Sequence, residues 1–198
     1  MDEIVERAIA KWPNVPAVFG WLSLDRRGNW AIKGERIQNR VITDFIGRNY
    51  ACDGDGRWFF QNGPQKVYVA LGYAPWVLRT QPGPRGIELV THTASAVFSP
   101  RAAWVDELGD LLVEFEGGLG VVHDQDLTML LPCLCDARGQ PLPDAAVEAF
   151  VAGTPSPGAP RLKLASGSIP VGMIRHDEVA GRFRFDPDPR PAPGEPEC

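Results

Sequence analysis

The sequence predicts an α+β protein with two related lobes, each ordered hairpin–helix–hairpin around a small, bent antiparallel sheet. Glycine and proline number 21 and 19 among 198 residues, which favours short elements joined by turns. Alternating apolar residues flank an Asp-x-x-Gly turn at residues 25–28 and again at residues 106–109, which is a hairpin pattern. A helical pattern follows each hairpin. We also expect a short N-terminal helix and a disordered C-terminal tail.

The first predicted lobe covers residues 1–90. Apolar residues at helical spacing predict helices over residues 2–12 and 36–49, the second of them strongly amphipathic. Between the helices lies the hairpin around Asp25. After the glycine-rich segment "CDGDG", residues 57–61 and 65–71 alternate as strands around an Asn62-Gly63 turn, because this dipeptide tolerates positive φ. A further strand is expected at residues 76–79.

The second predicted lobe covers residues 91–185 and repeats the first. A strand at residues 88–98 precedes "DELGDLLV", which aligns with "DRRGNWAI" of the first lobe. Asp124 is then a candidate N-cap for a helix with a leucine stripe. A short helix is expected at residues 144–151, a strand–turn–strand in "RLKLASGSIPVGMI" and one more strand in "EVAGRFRF". The proline-rich residues 186–198 cannot form a core and are expected to be disordered.

Composition and charge restrict the classes of partner. The apolar share of 44% and the charged share of 23% are those of an ordinary globular protein. Residues 1–90 hold 12 Lys and Arg against 9 Asp and Glu, whereas the remainder holds 8 against 16. This excess of positive charge is too small for a nucleic-acid footprint, so we expect no nucleic-acid partner.

The expected cellular compartment is inferred from two features that the sequence lacks, a membrane span and a signal peptide. No apolar run approaches the roughly 20 residues of a membrane span, so we expect no membrane association. The acidic, amphipathic start "MDEIVERAIAKW" is unlike a signal peptide, which favours a cytoplasmic location. Four cysteines are few for this length, and reduced thiols, including that of Cys198, are the simplest interpretation.

Motifs for catalysis, nucleotides or metals are weak. Two histidines stand next to an aspartate, in His123-Asp124 and His176-Asp177, but the number of further ligands falls short of a metal-hydrolase site. Cys133 and Cys135 are separated by one residue, unlike a zinc knuckle, and buried free cysteines are favoured. We therefore expect no metal, no cofactor and no catalytic set, and lean against an enzyme.

A mixed polar and aromatic group in the first lobe is the candidate ligand site. On the strand of residues 57–61, Trp58 and Phe60 share one face and Phe59 faces the other way, beside polar side chains. Such a mixture can line a small-molecule groove. It can equally be a packed core with long polar chains at its rim. The candidate residues are Trp30, Lys33, Glu35, Arg36, Phe59, Gln61 and Lys66.

The order of motifs resembles an uncharacterised proteobacterial family, domain-of-unknown-function family 1285, or a close sister family. The resemblance spans about residues 20–175 and is carried by "LDRRGNWAIKGERI", "DGDGRWFF", "KVYVALGYAPWVL", "ELGDLLVEFEGGLGVVHDQDLTMLL" and "LKLASGSIPVGMI". Asp25, Gly28 and Trp30 match the family pattern Asp-x-x-Gly-x-Trp. The resemblance implies an α+β fold built from repeated motifs and involvement in signal transduction. It supplies no catalytic residues.

Three functions remain open after these observations. The favoured one is a non-enzymatic cytosolic module that binds a small molecule or a partner protein and has a signalling or regulatory role. One alternative is a small hydrolase that uses His123 or His176 with neighbouring carboxylates. The other alternative is a structural subunit of a larger assembly.

Overall fold

The computed structural model describes residues 1–12, 14–152 and 159–194. The protein is α+β, with five α-helices and two mixed β-sheets among these residues. It divides into two compact units. The first unit is Met1–Pro75 together with the described residues from Arg184 onwards, and the second unit is Trp76–Phe183. In the part of the chain described here, no helix has both the length and the apolar character needed to cross a bilayer.

The first unit contains two helices and one six-stranded sheet. Its elements are α1 (Glu3–Lys11), β1 (Val18–Leu24), β2 (Trp30–Ile32), β3 (Glu35–Arg36), α2 (Arg40–Arg48), β4 (Tyr50–Cys52), β5 (Trp58–Asn62) and β6 (Gln65–Leu71). The strand order across the sheet is β3-β2-β1-β6-β5-β4. Asn39 caps α2, since its side chain accepts a hydrogen bond from the N–H of Val41 at 2.9 Å.

The purely antiparallel sheet expected from the hairpins is wrong, because β1 and β6 pair in parallel at the centre. The chain between these two strands holds α2, so it is long enough to return β6 to β1 in the same direction. Helix α2 packs on one face of the sheet, with Phe45 edge-to-face on Phe60 at 5.5 Å and Ile46 buried. This packing places α2 above the strands that carry the candidate site.

The second unit contains three α-helices and an eight-stranded sheet. Its elements are β7 (Trp76–Gly83), β8 (Gly86–Thr91), β9 (Ala102–Val105), β10 (Leu111–Phe115), β11 (Gly118–Val122), α3 (Leu127–Leu130), β12 (Leu134–Cys135), α4 (Asp144–Val151), β13 (Arg161–Leu164), β14 (Gly167–Met173) and α5 (Val179–Phe183). The strand order is β12-β13-β14-β9-β10-β11-β7-β8. Here too the sheet is mixed, because β9 pairs with β14 and β7 with β11 in parallel.

Four turns with the same hydrogen bonds follow strands β1, β4, β9 and β12. Each begins with an aspartate, namely Asp25, Asp53, Asp106 and Asp136. In each turn Oδ1 of the aspartate accepts the backbone N–H groups two and four residues later, at 2.8–3.0 Å. The third residue after the aspartate is a glycine with φ between 78° and 85°, a conformation that glycine adopts without strain. We call these four segments the Asp turns.

Several predicted elements differ from the observed ones. The segment predicted as a last strand forms α5 instead, after a 3₁₀ turn at His176–Glu178. The second helix begins at Arg40 rather than at residue 36, because Glu35–Arg36 pairs with β2 as a strand. Strand β8 ends at Thr91, so the expected strand does not reach residue 98.

Two smaller details of the sequence interpretation also change. The β5–β6 turn is centred on Gly63 and Pro64, since Asn62 already pairs with Gln65. A 3₁₀ turn at Asp124–Asp126 precedes α3, and His123 is its N-cap; the N–H of Gln125 donates to Nδ1 of His123 at 3.2 Å and to Oδ1 of Asp124 at 3.0 Å. The short helices expected at residues 2–12 and 144–151 are confirmed as α1 and α4.

The division into units and the tail also differ from the expected boundaries. The predicted lobe boundary after residue 90 falls inside β8, whereas the two compact units divide between residues 75 and 76. The tail predicted from residue 186 is held at its start, because the N–H of Asp186 bonds to Gly56 and the carbonyl of Pro187 accepts the N–H of Leu71. Residues 195–198, including Cys198, lie outside the described residues.

Replacing an Asp-turn carboxylate should destabilise the protein strongly. In Asp53→Ala two backbone N–H groups lose their acceptor, and so does the Tyr68 hydroxyl, which donates to Oδ2 at 2.9 Å. We expect the free energy of unfolding to fall by about 3 kcal/mol, measured by urea denaturation. Asp55→Ala is the matched control, because the Asp55 side chain is 80% exposed, and should cost less than about 0.5 kcal/mol. Equal losses would contradict this account.

Acid should weaken the hydrogen bonds that the Asp126 carboxylate accepts in the second unit. Burial opposes ionisation of Asp126, but hydrogen bonds from Arg79 and the N–H of Thr80 outweigh it, so the pKa of Asp126 lies below its ordinary value. A lowered pKa in the folded state stabilises the protein above the unfolded pKa of about 3.9, and this contribution is lost as pH falls through the folded pKa. Urea denaturation between pH 5 and pH 2.5 should therefore show a steeper loss for the wild type than for Asp126→Asn. Parallel curves would refute the assignment.

Candidate functional site

The first unit holds an open cavity of about 210 Å³ between α2 and the sheet, which we call the α2 cavity. It is lined by Val18, Trp21, Leu22, Ile32, Ile42, Ile46, Phe60, Asn62, Gln65 and Val67. The lining is mostly apolar, and two amide side chains stand in the wall. A cavity with apolar walls and a few polar groups is the usual form of a small-molecule site.

An irregularity in β1 places Trp21 at the rim of this cavity. Val18 pairs with Val67, but Leu22 pairs with Val69, so β1 accommodates two extra residues opposite β6. Gly20 lies within this bulge and has φ of 69°. A bulge redirects the side chains around it, and the Trp21 ring remains 47% exposed.

The turn between β2 and β3 brings a positive charge to the same rim. Ile32 pairs with Glu35, and the two central residues, Lys33 and Gly34, have φ of 49° and 84°. Two positive φ values are the mark of a type I′ hairpin turn. The N–H of Lys33 donates to the carbonyl of Trp21 at 2.7 Å, and Nζ lies 3.8 Å from the centre of the indole ring. The ammonium group therefore sits over the aromatic wall of the α2 cavity.

Apolar side chains around the mouth of the cavity are exposed. Ile32 is 45% exposed, Ile42 is 44% exposed and Val41 is 77% exposed. Phe45 and Ile46 of α2 contact the sheet core, whereas Val41 and Ile42 of the same helix remain exposed. Together with Trp21, these side chains form an apolar patch on the surface. Such patches are typical of binding surfaces.

The structure separates the seven predicted site residues into two groups. Lys33 and Glu35 flank the hairpin beside the α2 cavity, and Arg36 is exposed on the edge strand β3. Trp30 is buried and packs against Tyr50, with ring centres 5.1 Å apart. Of this group, Lys33 is the residue that contacts the cavity wall, through Trp21.

The other three predicted residues face the opposite side of the sheet. Phe59 and Gln61 alternate with Phe60, which lines the α2 cavity, so they point away from it. Phe59 is buried with Tyr68, and the Lys66 ammonium lies 4.6 Å from the Phe59 ring centre. Strands β1 and β6 separate β2 from β5, a distance of about 14 Å. The structure therefore does not bring these three residues together with Lys33 and Arg36.

Sequence reasoning missed most of the cavity lining. The sequence pattern places Trp21 and Ile32 in a hairpin and Ile42 in a helix as ordinary apolar residues. Alternation and helical spacing do not reveal a bulge. One signal was available, since Gly20 inside an alternating strand pattern is typical of a bulge. Asn62 and Gln65 stood beside residues that were chosen, but the one-residue error in the turn concealed them.

The second unit contains another cavity, of about 270 Å³, beneath α3 and α4. Its lining is apolar throughout and includes Val105, Gly109, Leu130 and Phe150. A ligand with any polar group would find no partner among these walls. We therefore regard the α2 cavity as the better candidate for a specific ligand.

The two histidines of the hydrolase hypothesis have different surroundings. His123 is buried, and its Nδ1 accepts the N–H of Gln125 before α3. His176 is partly exposed, with Nδ1 3.2 Å from Oδ2 of Asp106 in the third Asp turn. Asp110 of the same turn completes a three-residue group whose ligand atoms lie within 4.8 Å of one another. We call Asp106, Asp110 and His176 the Asp–His cluster.

Substitutions should distinguish the two groups of predicted residues. Phe59→Ala removes a ring that is 6% exposed, and the free energy of unfolding should fall by about 3 kcal/mol. Lys33→Ala removes an exposed chain with one cation–π contact and should cost less than about 1 kcal/mol. Both values come from urea denaturation monitored by tryptophan fluorescence. A stable Phe59→Ala variant would contradict the assignment of Phe59 to the core.

Comparison with known proteins confirms the resemblance to family 1285. A DUF1285 family protein from Silicibacter pomeroyi DSS-3 matches with a TM-score of 0.52 and 15% identity, over 86% of this chain and 94% of that one. A DUF1285 family protein from Shewanella baltica OS155 matches with a TM-score of 0.43 and 16% identity, over 58% of this chain and 90% of that one. At such identities the first likeness shows the fold alone. No curated protein matches significantly.

The family assignment comes from the sequence over nearly its whole length. The family model DUF2944, described as "Protein of unknown function (DUF2946)", matches residues 1–190. The chain therefore belongs to this family of proteins of unknown function.

Proposed function

We propose that the protein is a cytoplasmic, non-enzymatic module that binds a small amphipathic molecule in the α2 cavity and has a regulatory role. The observation that carries this proposal is the exposed apolar patch of Trp21, Ile32, Val41 and Ile42 around an open cavity with an ammonium group at its rim. Uncovered apolar surface costs free energy in water, and a ligand that covers it recovers this cost.

The size and chemistry of the cavity suggest the class of ligand. A volume near 210 Å³ is larger than the roughly 150 Å³ that holds a benzene ring, and smaller than most drug sites. One or two rings therefore fit. Lys33 and the amide of Asn62 can donate hydrogen bonds to a carboxylate or another acceptor on the ligand. We infer an aromatic or alicyclic acid as the ligand class.

Internal duplication is part of the same proposal. Two series of elements have the same strand order around a central parallel pair of strands. They are β1–β2–β3–α2–β4–β5–β6 and β9–β10–β11–α3–β12–β13–β14. Each series also carries two Asp turns with equivalent hydrogen bonds, at 25 and 53 and at 106 and 136. We infer that the two are related copies of one hairpin–helix–hairpin motif, and that the cavity beneath α3 differs from the α2 cavity in its wholly apolar lining.

The hydrolase hypothesis has one supporting observation, the position of His176 beside two carboxylates. A general base must reach the proton that it abstracts, and a carboxylate hydrogen-bonded to a histidine orients the imidazole for this role. His176 lies 3.2 Å from Asp106 and is partly exposed, whereas His123, which lies 2.9 Å from Asp124, is buried and also accepts the N–H of Gln125. If the protein is a hydrolase, His176 is therefore the residue to test, by loss of activity in His176→Gln toward ester and phosphoester substrates. A role as a structural subunit of an assembly has no specific support from the described residues.

Ligand binding to the α2 cavity can be tested by thermal shift with 1-naphthoate. At ten times its dissociation constant, a ligand specific for the folded state should raise the melting temperature by about 3–5 °C. 1-Naphthylmethylamine, which offers a cation in place of the acceptor, should give a smaller shift because Lys33 repels it.

Two neighbouring α2 positions provide matched variants for this test. Ile42→Arg places a charged chain at the cavity mouth and should abolish the shift. Asp44→Arg changes a nearby α2 position that is exposed and does not line the cavity, so the shift should remain. An equal shift in both variants, or none in the wild type with a panel of ring-containing acids, would overturn the proposal.

A further inference from the structure

The Asp–His cluster belongs to the second unit, whereas the proposed ligand site belongs to the first, so the inference does not depend on that site. Asp106 begins the third Asp turn, at the end of β9, and is 1% exposed. Its Oδ1 accepts two backbone N–H groups of the turn, and its Oδ2 is directed to His176. Asp110 and His176 are half-buried. The cluster therefore combines one buried carboxylate with two half-buried side chains.

The other Asp turns show what is unusual about this one. At the fifth position of the first turn, Asn29 donates its amide to Oδ2 of Asp25 at 2.8 Å. At the same position of the second turn, Arg57 donates to Oδ2 of Asp53 at 2.9 Å. In the third turn this position holds Asp110, a second carboxylate. Two carboxylates at close range repel each other, and a cation bound between them lowers this repulsion.

The groups around the cluster increase its negative charge. Glu107 is part of the turn, and its carboxylate accepts the backbone N–H of His176 at 2.8 Å. This contact fixes the main chain of the 3₁₀ turn against the Asp turn, so the imidazole is held near Asp106. The neighbouring Arg175 directs its guanidinium to Asp177, at 3.1 Å. Arg175 also interacts with Glu107, and the carboxylates near the cluster outnumber this one guanidinium, with an imidazole as the nitrogen donor.

We propose that Asp106, Asp110 and His176 bind a divalent transition-metal ion. One imidazole and two carboxylates form a donor set used for Zn²⁺, Mn²⁺ and Fe²⁺, and three protein ligands leave positions for water. Ligand atoms about 2.1 Å from a metal stand roughly 3–3.5 Å apart, so atoms within 4.8 Å need only side-chain rotation to close. A bound ion would place positive charge between the two carboxylates.

Manganese is the appropriate probe for the full-length protein, because Mn²⁺ prefers oxygen and imidazole ligands to the thiolates of Cys133 and Cys135. After treatment with a chelator, titration followed by the electron paramagnetic resonance signal of free Mn²⁺ should show one ion bound per chain. Asp110→Asn and His176→Gln should each weaken binding at least tenfold. Cys133→Ser should bind as the wild type does.

The first Asp turn provides the structural controls. Asparagine is already tolerated at this turn position, as Asn29 shows, so Asp110→Asn should keep the metal-free melting temperature within a few degrees. The reverse change, Asn29→Asp, creates a carboxylate pair with Asp25 but adds no histidine and should not gain a second ion. Absence of Mn²⁺ binding in the wild type, or unchanged binding in both Asp110→Asn and His176→Gln, would overturn the proposal. Neither outcome bears on the α2 cavity.

Discussion

The fold depends on one repeated interaction, a carboxylate oxygen that accepts two backbone N–H groups in a turn with a left-handed glycine. It occurs at Asp25, Asp53, Asp106 and Asp136. Each of these turns sets the register of the strands that flank it, pairing the residue before the aspartate with the residue five positions after it. Because the strands are short, fixed turns replace the cooperativity that longer strands would supply.

Local chemistry made much of the fold predictable. Asp-x-x-Gly spacing identified the hairpins at Asp25 and Asp106, and apolar alternation identified β13 and β14. The same spacing occurs at Asp53 and Asp136. It was not identified there, because "CDGDG" was interpreted as the end of the preceding helix and Asp136 lies in a segment that has no counterpart in the first predicted lobe. Parallel pairing of β1 with β6 was not predictable from such signals, since periodicity is the same in parallel and antiparallel edges of a sheet. The helix at Val179–Phe183 has only five residues, too few for helical spacing of apolar residues to be told apart from strand alternation.

The candidate site was less predictable than the fold. Lys33 was identified because a lone cation beside aromatics stands out in sequence, and the type I′ turn does bring it to the cavity rim. Phe59 and Lys66 were chosen for the same reason, but they face the other side of the sheet. The difference lies in the β1 bulge at Gly20, which turns Trp21 outward and cannot be derived from alternation alone. Conformation, rather than composition, therefore determines which aromatic is accessible.

The central claim is that the α2 cavity is the ligand site, and methyl NMR tests it most directly. With the isoleucine δ1 methyl groups labelled, titration with 1-naphthoate should shift the signals of Ile32, Ile42 and Ile46 in a saturable manner, because these side chains line the cavity. The signals of Ile87 and Ile169, in the second unit, should remain in place. Saturable shifts confined to the second unit, or no saturable shift at the cavity isoleucines, would contradict the account.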